Sequence, residues 1–117
     1  MIIPLNIKSE NTYYKIFEAV KIAFTKLSTN NQNTKGRPRK YSDQQIVCCM
    51  LYGVKNSIFS LRELEYKIKQ DHIFKSIIQI DDVPDYSTLS LRAKHLEKHI
   101  YYGIYAMFIK FINPEIR

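Results

Sequence analysis

Apolar residues recur along this chain three and four positions apart, the spacing of one face of an α-helix. Tyr13, Ile16, Phe17, Val20, Phe24 and Leu27 form the first stripe, with Lys15, Glu18, Lys21 and Lys26 off it. The pattern predicts a helix over residues 12–27, capped by Asn11 or Thr12, with Pro4 against an earlier start. Residues 28–34 break the stripe and are polar and low in complexity, as a mobile linker is.

Ser42-x-x-Gln45 then has the form of a capping box, in which side chain and backbone satisfy each other at a helix start. The helix it opens is apolar nearly all round, from Ile46 to Val54, and so belongs at the centre of a core. Ser60-x-x-Glu63 is a second box, opening a helix to about residue 69 with Leu61, Leu64 and Ile68 inward. Asp71 caps a shorter one carrying Ile73, Phe74, Ile77 and Ile78. Pro84 stops that pattern within the loop 79–85, because a proline biases the preceding residue away from helix. Asp85 or Ser87 caps the next helix, whose inward stripe is Leu89, Ala93, Leu96 and Ile100. After His99 a last apolar helix runs to about residue 112, with Tyr101, Ile104, Tyr105 and Phe108 in its band. The expected fold is all-α: a compact bundle of five or six helices with a helix-turn-helix-like core. It forms one structural domain, with an N-terminal helix and linker over 1–34 and a basic arm plus helical unit over 35–117.

Charge changes the picture. The 117 residues carry a formal charge of +7, which favours polyanionic partners, nucleic acid before membrane. The charge is uneven: residues 35–40 carry +4, whereas residues 71–85 carry −3 from four Asp and one Lys. Lys35, Arg37, Arg39 and Lys40 stand among Gly36 and Pro38, a flexible cationic arm suited to a phosphate backbone or a narrow minor groove. On the helix after Asp85, the residues off the inward stripe are Ser87, Thr88, Ser90, Leu91, Arg92, Lys94, His95 and Lys98. Small hydrogen-bonding groups at the first turn and cations along the flank suit a major groove. A basic amphipathic membrane helix at 12–27 is disfavoured by its mixed charge.

Other chemistry is poorly supplied. Asp81, Asp82 and Asp85 fit a turn and a cap better than a metal site, and His95 and His99 have no third ligand at suitable spacing. Cys48 and Cys49 are adjacent in an apolar run, so free thiols in a reducing, cytoplasmic compartment are expected. No nucleophile elbow or glycine-rich phosphate loop occurs. No cofactor, metal, small-molecule substrate, membrane span or catalysis is expected.

Three strings in order carry a resemblance: Gly36-Arg37-Pro38-Arg39-Lys40-Tyr41-Ser42, then Ser60-Leu61-Arg62-Glu63-Leu64-Glu65, then Asp81 to Arg92 with its Val83-Pro84-Asp85-Tyr86-Ser87-Thr88-Leu89 centre. Together, over about residues 35–100, they resemble the N-terminal region of insertion-sequence transposases of the DDE (RNase H-like) class. The resemblance implies a helical domain that binds double-stranded DNA at transposon ends, with Thr88, Ser90, Leu91, Arg92 and His95 facing DNA and the arm adding backbone contacts. In that family the catalytic domain follows this region, whereas this sequence ends at Arg117, so strand transfer is not carried over. A fragment or truncated relative is expected. The rival expectation is a helical protein–protein module, or a homodimer through the apolar C-terminal helix.

Overall fold

α2 (Asp43–Lys55) is the helix on which the others converge. In the computed structural model, residues 5–27 and 40–112 are described, with side chains over 12–27 and 40–108. The remaining elements are α1 (Leu5–Lys26), α3 (Leu61–Gln70), α4 (His72–Ile78), α5 (Tyr86–His95) and α6 (Glu97–Ile112), with no strand among the described residues. The fold is an all-α bundle. α1 and α6 pack side by side and both lean on α2, α3 and α5 pack against α2 and each other, and α4 packs against α1 and α3. Ile46, Val47, Cys48, Cys49 and Leu51 are wholly buried, which is why α2 has so little polar face. Ile16, Val20, Phe74, Leu89 and Met107 close the core around them. α6 comes close because Gly103 has no side chain: a Cβ there would sit 3.1 Å from a methyl of Leu51.

The starts of α2, α3, α4 and α5 follow the sequence closely. The Ser42 box is complete, with the Gln45 amide N–H donating to Ser42 Oγ and the Ser42 N–H donating to Gln45 Oε1. The Gln45 side chain also donates to the carbonyls of Ile78 and Gln79, tying the start of α2 to the end of α4. Ser60, Asp71 and Asp85 cap α3, α4 and α5.

Two boundaries differ from the sequence expectation. α1 begins at Leu5, not at residue 12. Asn11 and Thr12 are weak helix formers that also sit inside helices, and a proline disfavours helix before it rather than after it. The second difference is a break at Leu96, three residues earlier than expected. Leu96 has φ −120° and ψ 22°, its N–H donates to the Ala93 carbonyl, and its own carbonyl starts α6 by accepting from Ile100. Leu96 is buried, so the inward stripe turns a corner there, and Lys98 belongs to α6 rather than to α5.

α2 and α4 end in the same way. Ser57 (φ 57°) and Gln79 (φ 63°) are left-handed. Ile58 donates back to Gly53 and Ser57 to Val54, as Ile80 does to Lys75 and Gln79 to Ser76. These paired bonds are Schellman motifs, usually built on glycine. Buried Ile80 and Pro84 then anchor the loop into α5.

Candidate nucleic-acid interface

α5 faces outward along one side. Asp85 Oδ1 accepts from the Thr88 N–H at 2.8 Å, and that bond holds the carboxyl below its ordinary pKa. With the cap fixing the first turn, Leu89 points inward and is fully buried. The opposite side carries Ser87, Leu91, Lys94 and His95, all exposed. Thr88 and Ser90 lie half-buried on the two flanks.

Three side-chain latches set the orientation of this helix. Arg92 turns back toward α2. Its Nη2 donates to Asp43 Oδ1 at 2.6 Å and to the Tyr41 carbonyl at 3.1 Å, leaving its side chain 17% exposed. On the other flank, the Tyr86 N–H donates to Glu65 Oε1 of α3 at 3.0 Å. The Arg62 guanidinium, also from α3, lies over the Tyr86 ring at 4.3 Å and donates to its hydroxyl at 2.9 Å. A cation over an aromatic face combined with a charge-assisted hydrogen bond fixes both partners.

The residues singled out from the sequence therefore divide. Ser87, Leu91, Lys94 and His95 are brought to one open face, with exposed Lys98 just beyond the Leu96 corner. Arg92 faces α2 instead, where it pairs with Asp43 and the Tyr41 carbonyl. Lys40 is exposed, and its Nζ lies 3.2 Å from Asp82 in the acidic loop, a contact that raises its pKa. Lys35, Arg37 and Arg39 lie outside the described residues. The positioning roles of Tyr41, Arg62, Glu65 and Tyr86 had no sequence-local signal. They were nevertheless inside the three strings that carried the resemblance, and these four residues meet around α5.

The acidic group Asp71 is structural. Its Oδ1 accepts from the Phe74 N–H at 3.0 Å, and its Oδ2 accepts from the hydroxyls of Tyr13 at 2.5 Å and Tyr52 at 2.8 Å. The three rings pack against one another, with centroids 4.5 to 5.7 Å apart. Burial, reinforced by Asp71, pushes the Tyr13 hydroxyl up to about 12 and raises Tyr52 as well. Cys48 and Cys49 are free and buried, and burial raises both thiols, Cys49 to about 12. Among the described residues no three His, Cys, Asp or Glu side chains gather as metal ligands, and no helix is long and apolar enough to cross a membrane.

A family model described as a transposase domain (DUF772) matches residues 5–95. The chain belongs to that transposase-domain family. The matched span ends at His95, the last residue of α5, so the transposase domain takes in all the latches just described and leaves α6 outside. No curated protein and no solved structure matches the chain.

Proposed function

We propose that this transposase domain binds duplex DNA without acting on it chemically, and that α5 is the helix that enters the major groove. One observation carries the reading: Ser87, Leu91, Lys94 and His95 share an open face on a helix locked from both flanks. A recognition helix needs such a face, held firmly enough that its register on the bases is defined. α3, α4 and α5 then form the helix-turn-helix-like unit, with α3 buttressing α5 through Arg62 and Glu65. Lys94 and Lys98 neutralise phosphates and release counterions. Ser87 and His95 reach base edges. Residues 35–40 supply further backbone contacts. Arg92 serves as a positioning residue and not as a base contact.

Selection of bound duplexes from a random pool tests this. The intact chain should enrich a preferred sequence, and His95→Ala should blur one position of it. Recovery of an unenriched pool contradicts the proposal.

A second reading rests on α6. Tyr101, Tyr105 and Phe108 recur on one helical face and are 66%, 61% and 42% exposed. Such an apolar stripe suits a second copy of the chain or another protein. A concentration-dependent mass in solution that Tyr105→Ser abolishes, with no duplex binding, favours this reading over DNA.

A further inference from the structure

Leu91 stands out on the DNA-facing side of α5. Its neighbours one turn away are Ser87, Lys94 and His95, all exposed and all polar. Leu91 itself is 60% exposed, whereas Leu89, two residues earlier, is completely buried. The helix thus fills its inward position with one leucine and holds another out in water. Isolated apolar side chains on protein surfaces are common and need no explanation by themselves. Leu91 differs in its setting. It lies in the centre of the outward face, not at its margin, on a helix fixed by Arg92 to α2 and by Tyr86 to α3. It is also the sixth residue of α5, within reach of base edges when the first turns of a helix enter a groove.

In the major groove the one apolar group that a base pair presents is the methyl on C5 of a pyrimidine, found in thymine and in 5-methylcytosine. Serine, lysine and histidine all need hydrogen-bonding partners. Leucine needs an apolar surface shielded from water, and a C5-methyl supplies it. Resting on the reading of α5 as the groove helix, we propose that Leu91 packs against the C5-methyl of a pyrimidine. The site then discriminates at one position by the presence of that methyl group.

The test uses the intact 117-residue chain and the duplex recovered from random-pool selection. Each thymine is replaced in turn by uracil, which removes the methyl and nothing else. At one position the thymine duplex should bind about fourfold more tightly than the uracil duplex, the effect of burying one methyl-sized group. Cytosine against 5-methylcytosine at that position separates the sources. A thymine site also rejects 5-methylcytosine through its base-pair hydrogen bonds, whereas a site reading only the methyl accepts both methylated bases. Leu91→Ser should abolish the discrimination and leave thermal stability unchanged, because the side chain is exposed. Lys94→Ala should weaken thymine and uracil duplexes equally. Absence of any duplex binding removes both this proposal and the reading beneath it. Duplex binding that ignores the methyl at every position, or discrimination that persists in Leu91→Ser, overturns this proposal alone.

Discussion

Nη2 of Arg92 lies 2.6 Å from Oδ1 of Asp43, joining α5 to the first residue of α2 across 49 positions of sequence. The guanidinium is mostly buried and the carboxylate is partly exposed. Arg92→Ala should therefore cost about 1–2 kcal/mol, less than a fully buried charged pair because water reaches Asp43. Urea unfolding checks the value, and a cycle with Asp43→Asn isolates the coupling. By contrast, Lys94→Ala should leave the urea midpoint unchanged. Equal stability losses for the two variants contradict the distinction between positioning and contact residues.

Asp71 combines a helix cap with two tyrosine hydroxyls. Asp71→Ala removes the cap and leaves Tyr13 and Tyr52 without their acceptor, at a cost of about 2–4 kcal/mol. Asp71→Asn, which keeps one acceptor oxygen, should cost less. A midpoint for Asp71→Ala near that of the parent chain is inconsistent with the network.

Alkaline pH should unfold the protein progressively. Tyr13 and Cys49 are raised to about 12 from ordinary values of 10.0 and 9.0. Above those ordinary values the unfolded chain releases protons that the folded chain keeps, so unfolding is favoured. Stability is thus fully present below about pH 9 and falls up to about pH 12. Tyr13→Phe should flatten part of that fall. Neither thiol should react with iodoacetamide at pH 8 until urea unfolds the chain, because the thiolate is the nucleophile.

Glycine at the left-handed helix ends should stabilise the fold. Gln79→Gly relieves the steric cost of a side chain at φ 63° and keeps the carbonyl that Gln45 uses. A gain of about 0.5–1 kcal/mol is expected, net of the entropy that glycine adds to the unfolded chain. Thermal unfolding of Gln79→Gly and Ser57→Gly checks it, and a lower melting temperature for both contradicts it.

How far these features were legible depended on whether they were local. Ser42, Ser60, Asp71 and Asp85 each satisfy an amide within three residues, so local spacing marked three of these starts outright and narrowed the fourth to Asp85 or Ser87. The buried character of α2 was equally plain, since Ile46 to Leu51 leave no polar face to expose. Helix ends were harder. The Schellman motifs at Ser57 and Gln79 lack the glycine that marks them in sequence. The Leu96 corner hides inside an unbroken apolar stripe, because Leu96 stays buried while the axis turns. Within the candidate interface, Ser87, Leu91, Lys94 and His95 followed from periodicity once Leu89 was placed inside. Arg92 did not. It lies one position to the flank, and only the approach of Asp43 from a distant helix decides which way a long cationic side chain turns. The Arg62–Tyr86 and Glu65–Tyr86 contacts were invisible for the same reason.

The central claim, that the outward face of α5 lies against phosphates and bases, is most directly tested by the salt dependence of duplex affinity. The logarithm of the association constant should fall linearly with the logarithm of salt concentration, and Lys94→Ala should reduce the magnitude of that slope by about 1. An affinity indifferent to salt, or a slope that Lys94→Ala leaves unchanged, contradicts the account.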